Sequence, residues 1–255
     1  MKGSIFVYDD NNSIAFKNEI ISSKTIVFLD GLGGNILSNA YIQKLNEFCI
    51  SQGITLVIPQ LRSMPNFNIV PIEWDIEDIN NVLNLIIGDV VLMGHSTGCN
   101  DILLYLKKFN SSKIKGVILQ APVSDPESVN YDIVTRNMKL IEDSCPENLY
   151  IELPNQGLWR KERYISLYLK NGKEDVFSSY LDDELFSMWS KKMKILSILS
   201  GSDEFSKFDL TQKFLLMGKV KVIEKADHSV SSDILQNELI ETIDNFLIEI
   251  SFQVK

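Results

Sequence analysis

The pentapeptide Gly94-His95-Ser96-Thr97-Gly98 sets a serine between two glycines inside "DVVLMGHSTGCNDILLYL". A β-branched apolar run precedes it and a helical pattern follows it. That context builds a strained strand-to-helix turn, with the serine hydroxyl lifted above the sheet edge and Gly94 and Gly98 making room for neighbouring backbone. The helix beginning at Thr97 adds free N–H groups and a positive dipole beside the hydroxyl. A serine becomes a useful nucleophile only with a base in reach, and the chain has two histidines. His95 adjoins Ser96, so at a sharp elbow its ring diverges and reads as a wall or core residue. His228, in "VIEKADHSVSSD", follows the last strand pattern and precedes the last helix pattern, on the same sheet edge as Ser96. An acid must then fix the histidine tautomer and stabilise the imidazolium. Asp203, in "ILSILSGSDEF", is the assignment. Glu204 is its near competitor and Asp125 the remote one, while Asp227 adjoins His228 and is badly placed to orient it. The chain order Ser96, Asp203, His228 is the one such an elbow requires.

The run "TIVFLDGLGGN" ends a strand in a glycine-rich turn that reads in two ways. A dinucleotide fingerprint needs G-x-G-x-x-G, but Ile36 occupies the third glycine position and the next strand closes with Pro59 and Gln60 rather than an acid. No Gly-Lys-Ser/Thr follows, so the phosphate loop of a nucleotide-binding site fails as well. The alternative is an oxyanion hole made by the N–H of Thr97 and an N–H from this loop, with Leu32 as the second donor. Gly31, Gly33 and Gly34 permit the close approach. Each such donor contributes about 2.7–4 kcal/mol to transition-state stabilisation. Asp30 at the mouth of the loop has two readings: it orients the loop by accepting from backbone N–H groups, the preferred one, or it repels anionic substrates.

The elements that must hold these residues follow from hydrophobic pattern. The runs "TIVFLD", "TLVIP", "DVVLMG", "KGVILQAP", "KILSILSGSD" and "VKVIEKAD" are nearly continuous in Val, Ile and Leu. Continuous rather than alternating apolar runs fit parallel strands covered on both faces. Between them the spacing predicts helices over about 37–51, 74–87, 97–109, 210–217 and 232–250. Strand–helix alternation implies a doubly wound, mostly parallel sheet with right-handed crossovers, in one domain spanning 1–255. From 123 to 193 the rhythm breaks, and the aromatic-rich segment reads as an inserted cap of short helices. Within it "WRKERY" offers Arg160, Lys161 and Arg163, either as a solvated face or against an anionic substrate group.

Composition removes several function classes. A formal net charge of −9 without a basic block opposes nucleic-acid binding, and no run approaches a membrane span or a signal peptide. Cys49, Cys99 and Cys145 are scattered, with neither a disulfide framework nor a zinc spacing, which points to the reducing cytoplasm. The pattern calls for no cofactor and no metal.

With these motifs in hand the chain resembles the α/β-hydrolases. It is more specifically similar to a eukaryotic family that includes fungal siderophore (fusarinine-type) esterases. The segments "GLGGN", "MGHSTGCNDILLYL", "VILQAPVSDPES", "KEDVFSSYLDDEL" and "SILSGSDEF" carry the resemblance. Many α/β-hydrolases have His-Gly before the oxyanion residue; here Asp30 replaces that histidine. The resemblance implies the α/β-hydrolase fold and, for some members, hydrolysis of ester bonds in hydroxamate siderophores. Residues and resemblance agree on a serine esterase acting on a small-molecule ester. The rival readings are a thioesterase, acyltransferase or amidase on the same triad, and a non-catalytic small-molecule-binding protein of the same fold.

Overall fold

The computed structural model describes residues 1–253. The chain opens with β1 (Gly3–Val7) and β2 (Ile14–Asn18), then alternates through β3 (Lys24–Leu29), α1 (Ile42–Ser51), β4 (Thr55–Pro59), α2 (Ile72–Leu85), β5 (Asp89–His95), α3 (Gly98–Lys108) and β6 (Ile114–Gln120). The insertion that follows holds α4 (Asp125–Ser128), α5 (Tyr131–Asp143), β7 (Tyr150–Leu153), β8 (Gly157–Arg160), α6 (Lys161–Tyr168) and α7 (Asp183–Ser190). The chain then completes the sheet with β9 (Ile195–Ser200), α8 (Thr211–Met217), β10 (Lys219–Ile223) and α9 (Asp233–Glu249).

Eight strands form one sheet in the order β1-β2-β4-β3-β5-β6-β9-β10. The strands from β4 to β10 pair in parallel, and the β1–β2 hairpin extends one edge antiparallel. The apolar runs are continuous because successive residues serve two different cores. Val27, Leu29, Leu92 and Leu119 face one side with α2, α3 and α8. Ile26, Phe28, Val91, Met93 and Ile118 face the other with α1 and α9. Fully burying such side chains stabilises the fold by about 1.5–3 kcal/mol each. No described helix is long and apolar enough to cross a membrane.

The order of the strands creates the crevice. From β3 the chain steps outward to β4 and then returns past β3 to β5. The connecting helices consequently fall on opposite faces, α1 on one and α2 on the other. Ligands of open α/β sheets bind above the carboxyl ends of strands at such a switch point. The glycine-rich loop leaves β3 here and the Ser96 turn leaves β5.

Two hairpins were not legible as strands. β1 and β2 form an edge with mostly exposed side chains on β1, so no apolar run marks them. The signal was instead the turn "YDDNNS", in which Asp9 accepts from the N–H of Asn11 and of Ser13. In the insertion, expected to hold helices, β7 and β8 form a separate two-stranded hairpin. Its turn places Asn155 and Gly157 at φ of 62° and 74°. The first helix also starts at Ile42 rather than near 37, because the Ser38 hydroxyl first accepts from the Asn35 N–H and Asn35 Oδ1 accepts from the Leu37 N–H, closing turns there.

The insertion divides by packing. Val134, Ile141, Leu153, Trp159, Tyr164 and Leu167 make a third apolar cluster of their own. Phe177, Leu181, Phe186 and Trp189 instead join the core of the main sheet.

Candidate active site

Ser96 sits at φ 54°, in the left-handed region that costs a non-glycine residue energy. Glycine neighbours make the turn feasible. A Cβ on Gly94 would lie 2.6 Å from the Gly98 carbonyl carbon, and one on Gly98 would lie 2.4 Å from the Leu29 carbonyl oxygen. Strand, elbow and helix are thus in direct backbone contact. The loop after β3 approaches just as closely, since a Cβ on Gly31 would lie 2.8 Å from Ser96 Cβ and 3.3 Å from Ser96 Oγ.

Asp30 explains how that loop is held. Its Oδ1 accepts from the Gly31 N–H at 2.9 Å, and its Oδ2 accepts from the Ser38 hydroxyl at 2.6 Å. Ser38 Oγ in turn accepts from the Asn35 N–H at 2.7 Å. The carboxylate, 6% exposed, therefore ties both ends of the turn. Gly33 lies at φ 69° between those ties. With the Gly31 N–H occupied by Asp30, Leu32 N–H is the next donor along the loop. Among the described residues, neither it nor the Thr97 N–H is taken by another backbone carbonyl. The Leu32 side chain packs against the insertion's apolar cluster.

His228 Nδ1 and Asp203 Oδ2 are 2.8 Å apart, with both side chains almost fully buried. Asp203 Oδ1 accepts from the Phe205 N–H at 2.9 Å, which fixes the carboxylate plane. Glu204, the near competitor, holds something else: its Oε2 accepts from the backbone N–H of His228 at 3.1 Å. Asp227 accepts from Ser231 N–H within its own turn. Asp125 lies apart from the histidine, bonded to Asn100. Ser96 and His228 line one cavity of about 460 Å³, together with Asp30, Leu32, His95 and Asp125. Among the described residues no hydrogen bond joins the Ser96 hydroxyl to the His228 ring, and such bonds are commonly loose before substrate binds.

His95 does diverge from Ser96. Its Nδ1 lies 2.5 Å from Gln120 Oε1, which also accepts from the Tyr41 hydroxyl at 3.0 Å. Gln120 Nε2 donates to the His228 carbonyl at 3.3 Å and to Ser200 Oγ at 3.4 Å. Because Gln120 Oε1 accepts, His95 carries its proton on Nδ1. Burial first, then the neighbouring His228, push His95 down from 6.5 to about 4. A neutral ring therefore lies 4.8 Å from the His228 ring, and the Phe205 ring stands edge-on to His228 at 4.7 Å. Gln120 was missed in the sequence, although a polar residue closing the apolar run "VILQ" at the sheet's carboxyl edge was a usable signal. Tyr41 carried none.

The basic residues of "WRKERY" do not line the cavity. Arg160 pairs with Glu162, and Lys161 Nζ donates to the Cys145 carbonyl. Arg163 is 2% exposed rather than solvated. It bridges Asp75 at 3.5 Å and Glu174 at 3.0 Å.

An eight-stranded, mostly parallel sheet with a glycine-bounded serine elbow at its switch point defines the α/β-hydrolase fold. The chain belongs to the family described as "Protein of unknown function (DUF1749)", whose model matches residues 3–248. A fission-yeast protein, UPF0613 protein PB24D3.06c of Schizosaccharomyces pombe, is 28% identical over 219 residues, 74% of this chain and 67% of that protein. The solved structure of the siderophore hydrolase EstB from Aspergillus fumigatus is similar with a TM-score of 0.79 at 20% identity, covering 98% of both chains. Est1E from Butyrivibrio proteoclasticus with bound ferulic acid is similar with a TM-score of 0.68 at 14% identity, covering 96% of this chain and 98% of that one.

Proposed function

We propose that this protein is a serine hydrolase that cleaves carboxylic esters of small molecules through an acyl-enzyme. The observation that carries the reading is the His228–Asp203 pair at 2.8 Å, whose histidine lines the cavity that also holds the strained Ser96. His228 takes the proton of Ser96 Oγ as that oxygen attacks the ester carbonyl. Asp203 holds the proton on Nδ1, leaving Nε2 free to accept, and stabilises the imidazolium that forms. Neutral His95 beside it adds no competing charge. The N–H groups of Thr97 and Leu32 bind the oxyanion. The tetrahedral intermediate collapses, His228 returns the proton to the departing alcohol, and water repeats the sequence to free the acid.

Likeness to EstB along nearly the whole chain supports siderophore-like esters as the substrate group to try first. The part of the insertion with its own apolar cluster serves as the cap that shapes the cavity. The thiols of Cys49, Cys99 and Cys145 are all unpaired, which supports a reducing compartment, the cytoplasm.

The test is labelling with a fluorophosphonate, followed by turnover of p-nitrophenyl esters. The expected result is a single adduct on Ser96 that is abolished by Ser96→Ala and strongly slowed by His228→Ala. A folded protein whose Ser96 resists the reagent would refute the assignment.

A further inference from the structure

The ionisable lining of the cavity consists of Asp30, Asp125, His95, His228 and Tyr168, and among the described residues no lysine or arginine lines it. Lys207 donates from its ammonium to the carbonyl of Val129, a lining residue, at 3.1 Å. Asp30 is consumed by its own loop, as described above. Asp125 is not. It is 94% buried, and Asn100 Nδ2 reaches only its Oδ2, at 3.2 Å. Among the described residues Oδ1 has no side-chain partner, and the residue lines the cavity.

Behind Asp125, carboxyls outnumber the one guanidinium that reaches them. Asp125 faces Asp101 on α3, Arg163 and Tyr168 on α6, and Glu174 and Asp175 in the loop after α6. The single guanidinium of Arg163 bridges Asp75 and Glu174. Arg163 is thus shared among several buried carboxyls, and Asp125, which lines the cavity, keeps one oxygen without a hydrogen-bond partner among the described residues. A buried carboxylate is stable when a cation reaches it.

We propose that the ester substrate carries a protonated amine and that Asp125 binds that ammonium through Oδ1. The inference rests on the serine-hydrolase reading and names the substrate class for it. An ammonium supplies the charge the cavity lacks and up to three donors for the open oxygen. Burial and Glu174 raise Asp125 to about 8. A bound cation favours the ionised form, so ammonium binding expels a proton from Asp125. The preference for ammonium substrates therefore rises with pH through that region, while the amine itself, with an ordinary pKa of about 10.4, stays charged.

The experiment compares p-nitrophenyl esters of ω-amino acids with their methyl-terminated isosteres, and acetates of amino alcohols with those of the matching alkanols. The two series place the ammonium on the acyl or on the alcohol side. The wild-type protein is expected to favour the ammonium member of at least one series by about tenfold or more in kcat/KM, as a charge-assisted hydrogen bond gives. Asp125→Asn, of equal shape, should collapse that ratio, and Asp125→Glu should recover part of it. Equal rates for the two members of every pair in wild-type protein would overturn the proposal even if the variants failed to fold. Fluorophosphonate labelling on the same samples separates the two readings. Labelled Ser96 without ammonium preference sinks this inference alone. Calorimetric binding of alkylammonium, but not of the alkanol, to a protein that resists labelling would sustain Asp125 and sink the hydrolase.

Discussion

Replacing Asp203 by Asn tests the histidine–acid pair with almost no change in shape. The asparagine carbonyl keeps the bond that Asp203 Oδ1 now accepts from the Phe205 N–H at 2.9 Å. Its amide then faces His228 Nδ1 across the present 2.8 Å contact. Two donors cannot share that contact, so Nδ1 gives up its proton and Nε2 carries it toward Ser96. The base is then occupied. Flipping the amide would restore the tautomer but lose the Phe205 bond and set the amide NH₂ against the Phe205 N–H, at about 1–3 kcal/mol. The wrong tautomer dominates, and the expected loss in kcat is about 10³- to 10⁴-fold, or roughly 4–5.5 kcal/mol at 1.36 kcal/mol per decade. Steady-state hydrolysis of a p-nitrophenyl ester, with thermal unfolding as the control for folding, reads it directly. Activity within tenfold of wild type would refute the pair as catalytic. A comparable loss for a neutral ester in Asp125→Asn alone would move the acid there.

Other perturbations probe separate parts of the site. Gly31→Ala drives a methyl to 2.8 Å from Ser96 Cβ, so the loop must shift off the nucleophile. The expected fall in kcat is about 10²-fold or more, and unchanged turnover would remove the loop from the oxyanion site. Arg163→Met strands Asp75 and Glu174, each 1% exposed at the side chain. Stability should drop by about 3–5 kcal/mol and Tm by roughly 10 °C, checked by calorimetry, and an unaltered Tm would contradict the buried bridge. His95 has its folded pKa lowered from 6.5 to about 4, so the unfolded chain binds its proton first as pH falls. Relative to His95→Gln, wild type should lose roughly 3 kcal/mol of stability between about pH 6.5 and pH 4. Parallel stability curves for the two proteins across that window would show that His95 is not held neutral.

Much of this arrangement was readable in the residues, for identifiable reasons. Parallel strands covered on both faces print as unbroken Val/Ile/Leu runs, so the strands from β3 to β6 and the last two were plain. The edge strand β1 and the hairpin of the insertion leave much of their side chains in water and print no such run. Ser96, His228 and Asp203 could be proposed together because a serine nucleophile admits few partner types and two histidines left little choice, and the fold sets His228 on Asp203 and in one cavity with Ser96. Their supports were not legible. Gln120 meets Tyr41 across 79 positions, and Arg163 meets Asp75 across 88. A guanidinium in "WRKERY" reads as solvated until the fold delivers both of its carboxylates. Asp30 was the middle case: its type and place suggested a loop tie, and Ser38 became its partner only through the turn.

Leu32 has one end in the proposed oxyanion site and the other against the insertion. Its backbone belongs to the loop that Asp30 ties beside Ser96, and its side chain packs against the cluster around Trp159 and Tyr164. A substitution that reshapes this cluster to admit a bulkier substrate also presses on the residue whose N–H is assigned to the oxyanion. Specificity and rate are then coupled through Leu32 in this chain. An engineer who enlarges the pocket from the insertion side should expect kcat to move with KM, and should begin at position 32, where the two demands meet in one residue.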